Sequence, residues 1–225
     1  AMGAQSSSLA VHNITDVGIA RTLAGCIFPV GLMMIVFVGG ELFTGNCLLF
    51  MDVIGRKVTV RACARNLLVV YFSNLIGALI IDFLIYYSGN LDYSGGLLGA
   101  YTIKVAVGKI AISPLKGITS GILCNVLVCI AILMAAASTD IVGKIWGIFF
   151  PILLFVVAGY EHSVANMYFI SAGIFAKTNE LFVALNGAAD LSNLTWLGMF
   201  TNNLLPVSIG NIIGGVVFVA MGYML

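Results

Sequence analysis

The chain has 225 residues, 61% of them apolar and only 8% charged, with a formal net charge of +1. A soluble domain carries about 25% charged residues, so a soluble fold with a charged face on every helix is excluded and the bilayer must act as the solvent. The near-neutral balance points to no nucleic acid and no strongly acidic partner.

The opening AMGAQSSSLAVH lacks a basic region followed by an apolar run, so it reads as neither a signal nor a transit peptide. A transmembrane helix needs about 20 mainly apolar residues. Candidates follow at roughly 22–54, 62–88, 114–137, 142–176 and 196–225. The first and fourth are too long for one simple crossing. Each carries a polar interruption, GGELFTGN (39–46) and GYEHSVAN (159–166), and reads as a helix broken inside the membrane.

After the first broken segment, GRKVTVRACAR holds Arg56, Lys57, Arg61 and Arg65, the densest basic cluster in the chain and the best cytoplasmic candidate. Alternating the loops from there puts Arg21, Lys104, Lys109, Lys116 and Lys177 on the other side, so orientation rests on local density. Residues 89–113 are glycine-rich and then read TIKVAVGKIAI, which predicts a loop with a short interfacial helix at the membrane surface. Cys26, Cys47, Cys63, Cys124 and Cys129 lie in or beside apolar runs with no CxxC pairing, so they read as packed side chains rather than metal ligands or disulfides.

The two halves repeat. Gly39, Glu41 and Asn46 align with Gly159, Glu161 and Asn166 as G-x-E-x4-N, and Phe28-Pro29 with Phe150-Pro151. Downstream, NLLVVYFSNLIGA (66–78) matches NLLPVSIGNIIGG (203–215), pairing Asn66 with Asn203 and Asn74 with Asn211. The helix at 114–137 ends MAAAS, and its counterpart in the first half is MGAQS at the start of the chain. The expectation is one transmembrane domain over 1–225, with a first repeat at 1–88 truncated at its N-terminus and a second at 114–225. The first span is then largely missing from this sequence, and the native chain extends upstream by one helix. Three spans per repeat insert the second copy from the opposite face, giving an all-α inverted repeat of three plus three spans with two broken helices.

A helix break in hydrocarbon is tolerated where it is buried in protein or lines a polar cavity, so two equivalent breaks imply one shared cavity. Their half-helix N-termini, Thr44 to Asn46 and Ser163 to Asn166, favour an anion. Packing kinks are the bland alternative, but packing does not call for Glu and His at the break. His162 is the one histidine within a span, since His12 lies in the N-terminal stub. A lone membrane histidine is usually a packing group, yet at a break it reads as functional. Imidazole has an unperturbed pKa near ~6.5, so it can donate a hydrogen bond to a small anion or share a proton with it. A neutral acid crosses an apolar barrier far more cheaply than a bare anion.

Glu41 and Glu161 precede the half-helices. Capping of free N–H groups is the preferred reading over contact with substrate, because a carboxylate in the path repels an anion. Asn74 and Asn211 are expected to hydrogen-bond the broken backbone, with Asn211 also in reach of His162. Phe28, Leu32, Leu42, Phe43 and Val156 lie on the approaches to the breaks, where apolar side chains serve as core or as narrow gates.

GELFTGN, GYEHSVANM and NLLPVSIGNIIGG resemble the formate/nitrite transporter family over the whole chain. The resemblance implies an aquaporin-like protomer in a homopentamer of the cell's inner (plasma) membrane, with one path per protomer and no cofactor. The substrates it implies are formate, nitrite, hydrosulfide and lactate. By the same resemblance Thr44 matches the polar residue of the first broken loop, His162 the central histidine and Asn211 its hydrogen-bonding neighbour. Lys109 matches the lysine that attracts anions at the outer vestibule, and Phe28, Leu32, Leu42 and Phe43 one constriction. Formate channels look to have a phenylalanine where Val156 stands, so the chain looks most like the hydrosulfide branch.

An enzyme, such as a redox or metal membrane subunit, lacks its clustered ligands here. An aquaporin-type facilitator for neutral solutes is expected to show NPA where this chain reads FTGN and HSVAN. A non-transporting scaffold leaves the paired breaks and matched glutamates unexplained.

Overall fold

The computed structural model describes residues 1–187 and 190–224. Its helices are α1 (Met2–Val11), α2 (Val17–Val38), α3 (Phe43–Ile54), α4 (Val60–Tyr87), α5 (Leu97–Ile110), α6 (Pro114–Ala137), α7 (Ile141–Ala158), α8 (Ser163–Ala176), α9 (Glu180–Asn186) and α10 (Trp196–Met224). Helices α2, α4, α6, α7 and α10 are long and apolar enough to cross a membrane, while α3 and α8 are shorter apolar helices. The expected spans thus stand within a few residues.

Helix starts carry the side chains that satisfy free N–H groups. Asp16 accepts from the Ile19 N–H at 2.8 Å, Asp140 from Gly143 at 2.8 Å and Thr195 from Gly198 at 3.0 Å. Ser113 caps α6 ahead of Pro114. The outward faces are apolar: Leu68, Phe72, Ile76, Ile80 and Phe83 of α4 are all exposed. Such a belt suits a lipid solvent.

The interior is built by close backbone approach. A Cβ at Gly210 or Gly214 of α10 would overlap the carbonyl of Ile118 or Ile122 in α6, and one at Gly121 would lie 2.7 Å from the Val207 carbonyl. These small residues at four-residue spacing let α6 and α10 pack backbone to backbone. Helix α8 is enclosed by α4 and α5, and its Ser171 hydroxyl donates to Asp82 of α4.

The interfacial helix expected between residues 89 and 113 is α5, and its setting differs from a free surface helix. Leu98, Ile103, Ala106 and Ile110 are buried, and Gly99 lies against the Phe182 ring of α9. The opposite stripe, Tyr101, Lys104, Val105, Gly108 and Lys109, follows a helical spacing of i, i+3, i+4, i+7, i+8 and faces a cavity. The two lysines on that stripe make the helix look like a surface element in the sequence.

Candidate functional site

Both breaks have the same backbone. Helix α2 ends at Gly39 (φ 72°, ψ 34°) and α7 at Gly159 (φ 73°, ψ 33°), left-handed conformations that favour glycine. The next helices start from extended residues, Leu42 (φ −126°, ψ 121°) and His162 (φ −115°, ψ 113°).

The hydrogen bonds match as well. Asn74 Oδ1 accepts from the Phe43 N–H at 3.0 Å and its Nδ2 donates to the Glu41 carbonyl at 3.0 Å. Asn211 Oδ1 accepts from the Ser163 N–H at 2.9 Å and its Nδ2 donates to the Glu161 carbonyl at 3.1 Å. Asn46 donates to the Glu41 carboxylate and, at 2.8 Å, to Asn66 Oδ1. Asn166 donates to the Glu161 carboxylate at 2.6 Å and to Asn203 Oδ1 at 2.8 Å.

The glutamates therefore act differently from the capping reading. Their carboxylates accept from the asparagine side chains five residues on, and the free backbone N–H groups go to Asn74 and Asn211. Asn211 also donates to the Gly121 carbonyl at 2.8 Å. Its side chain is committed to backbone rather than to His162.

His162 faces two other partners. Its Nδ1 lies 3.0 Å from the Ala165 N–H and accepts from it, so the imidazole caps α8. A ring that accepts at Nδ1 carries its proton on Nε2, and Nε2 lies 2.9 Å from Thr44 Oγ1, which accepts it. That bond joins the two breaks directly. Asn125 of α6 braces the same junction, donating to the Thr44 carbonyl at 3.1 Å and the Asn211 carbonyl at 2.7 Å.

Two cavities meet at His162. A vestibule of about 920 Å³ opens on one side, lined by Arg21, Lys104 and Lys109 with Glu161. A chamber of about 90 Å³ lies on the other, walled by Leu32, Leu42, Val128 and Ile152. A liquid water takes about 30 Å³, so the chamber has space for a small anion and little water. Phe28, Phe155, His162 and Ala165 line both cavities. Phe155 stacks on His162 at 5.9 Å and meets Phe28 edge-on at 5.6 Å.

Of the expected residues, Phe28, Leu32 and Leu42 come together with His162 at the chamber. Thr44 is fully buried behind the imidazole and reaches neither cavity. Phe43 packs on Tyr71 at 4.9 Å, away from both. Val156 lines the vestibule, while the ring beside His162 that borders both cavities belongs to the preceding residue, Phe155.

Lys109 donates to Glu161 at 2.8 Å, with the two side chains 21% and 10% exposed. Asn203 closes the ring by donating to the Lys109 carbonyl at 2.8 Å. The ammonium thus neutralises the one acidic side chain in the vestibule wall among the described residues. Glu41 is exposed and makes no ion pair among the described residues. Sequence reasoning missed Phe155, Arg21, Lys104 and Asn125 as site residues. The helical stripe on α5 was a signal for Lys104, while Asn125 carried none.

A bundle of apolar spans, in which two matched breaks meet at a histidine between a basic vestibule and a small apolar chamber, defines a membrane channel or transporter for small solutes. The chain belongs to the formate/nitrite transporter family, whose sequence pattern matches residues 1–225. It is 39% identical over 220 residues to the "Probable formate transporter" of Methanothermobacter thermautotrophicus, covering 92% of this chain and 75% of that protein. It is 35% identical over 210 residues to "Formate channel FocA" of Escherichia coli (strain K12), covering 92% and 74%. A solved "Pentameric formate channel with formate bound" matches with a TM-score of 0.83 and 31% identity, over 98% of this chain and 91% of that one. The protein is accordingly a multi-pass membrane channel or transporter, not an enzyme.

Proposed function

We propose that the chain forms a channel for small monovalent weak-acid anions, with formate as its main substrate and nitrite and hydrosulfide in the same class. The observation that carries this reading is the neutral imidazole of His162, with its proton on Nε2, between the basic vestibule and the apolar chamber. An anion drawn into the vestibule meets the His162 ring, which lines both cavities. It then crosses the chamber together with a proton from the medium, because a neutral acid avoids most of the cost of burying a charge. Phe28, Leu32, Leu42 and Phe155 form the apolar barrier. Glu41, Glu161, Asn46 and Asn166 hold the breaks, and Lys109 cancels the charge of Glu161 in the path.

Formate is preferred over hydrosulfide because the relatives cited above are named for formate. The repeats at 1–88 and 114–225, insertion of the second in the opposite sense, assembly as a homopentamer and residence in the inner (plasma) membrane belong to the same proposal. Support for them is the matched pair of breaks and the pentameric relative.

The test is uptake into proteoliposomes of formate, nitrite, hydrosulfide and chloride. Saturable passage of formate with exclusion of chloride supports the reading. Passage of water or glycerol without any anion would establish a neutral-solute facilitator instead, and no flux at all a scaffold.

A further inference from the structure

We propose that Arg21 is a specificity-determining residue, an outer subsite in the vestibule that captures planar two-oxygen anions before they reach His162. The inference rests on the channel reading above and deepens it.

Three cations line the vestibule, but they are not equivalent. Lys109 is ion-paired to Glu161, which leaves Arg21 and Lys104 as the groups whose charge is uncompensated there among the described residues. Lys104 is an exposed point charge on α5. Arg21 is anchored: its Nη1 donates to the Val157 carbonyl at 3.2 Å, at the C-terminal end of α7. That end of a helix carries partial negative charge and holds a guanidinium in place.

The anchor depends on Gly159. A Cβ at this position would overlap the Arg21 guanidinium, whereas at the equivalent Gly39 a Cβ would meet nothing within 4 Å. The two breaks share their backbone, yet only the second has a cation seated against its glycine. Arg21 therefore marks one end of the path as the capture end, and it does so directly above the helix break that presents His162.

One N–H of the fork is used, and the Nη2 and Nε edge has no partner among the described residues. A free guanidinium edge donates two parallel hydrogen bonds to a planar pair of oxygens, as in a carboxylate or nitrite. A spherical or single-atom acceptor such as chloride or hydrosulfide meets only its charge. The subsite selects by shape at the entrance, and the chamber beyond His162 selects by size.

The experiment is concentration-dependent flux into proteoliposomes for formate, nitrite and hydrosulfide, with wild type beside Arg21→Lys and Arg21→Gln. Arg21→Lys keeps the charge and loses the fork. It should raise the half-saturating concentration of formate and nitrite about threefold, a modest effect because the group is exposed. The half-saturating concentration of hydrosulfide should shift by less than that of formate or nitrite. Arg21→Gln should weaken capture of all three anions, most at low salt. An Arg21→Lys channel identical to wild type for formate, or shifted equally for all three anions, overturns the inference. Wild type that carries none of these anions overturns the channel reading itself.

Discussion

Asn74 and Asn211 perform the same task in two settings, so truncating each to alanine compares a buried break with a more exposed one. Asn211 is fully buried, and Asn211→Ala removes its bonds to the Ser163 N–H, the Glu161 carbonyl and the Gly121 carbonyl. Each unsatisfied buried group costs about 1–3 kcal/mol. Interhelical hydrogen bonds in membrane proteins sit at the low end, near ~0.6 and up to ~1.7 kcal/mol. Over three such bonds the loss is about 2–5 kcal/mol. Asn74→Ala orphans the Phe43 N–H, but the Glu41 carbonyl belongs to an exposed residue that water can reach. Its cost is about 1–2 kcal/mol. Near 2–4 °C per kcal/mol for a chain of this size, the Asn211→Ala melting midpoint should fall roughly 4 °C below that of Asn74→Ala. Size-exclusion of detergent-solubilised protein after graded heating measures it. Equal midpoints, or a lower one for Asn74→Ala, would refute the claim that the second break is the drier.

Three further outcomes are expected. Leu42→Ala removes a wall of the 90 Å³ chamber, so flux of acetate or lactate relative to formate should rise severalfold. A misfolded protein with no pore would show Leu42 to be packing alone. Gly210→Ala presses a methyl onto the Ile118 carbonyl, and overpacking of about 1–3 kcal/mol should lower the melting midpoint by several degrees. An unchanged midpoint contradicts the close α6–α10 approach. Lys109→Gln leaves Glu161 as an unpaired carboxylate in the vestibule wall, and formate flux should drop at least tenfold. The double variant with Glu161→Gln should recover much of it, and failure to recover rules out charge cancellation as the role of Lys109.

The architecture was legible wherever lipid constrains the sequence. Apolar runs gave the spans, because a helix in hydrocarbon has no polar face to hide. The duplicated G-x-E-x4-N located both breaks, and the alignments of Asn66 with Asn203 and Asn74 with Asn211 turn up as matching hydrogen-bond donors and acceptors. Contacts between the halves were not legible. The Thr44–His162 bond spans 118 positions and exists only once both breaks face each other. Nor does spacing tell which of two adjacent residues on α7, Phe155 or Val156, turns toward the histidine. The buried side of α5 was obscured by lysines that face a wet vestibule rather than bulk water. Those same lysines, with Arg21, blurred the charge count used for orientation, since they line the vestibule.

The proposed path turns on His162, a neutral imidazole that donates from Nε2 to Thr44 and whose ring also caps α8. His162→Asn separates these roles, because asparagine is a good N-cap and can accept from the Ala165 N–H, yet it carries no exchangeable imidazole proton. The most direct measurement is formate flux through this variant and wild type in proteoliposomes across the range from about pH 5 to pH 8, where histidine chemistry operates. His162→Asn should fold, and its flux should lose its pH dependence or its preference for formate over chloride. Wild-type flux and selectivity at every pH would contradict it.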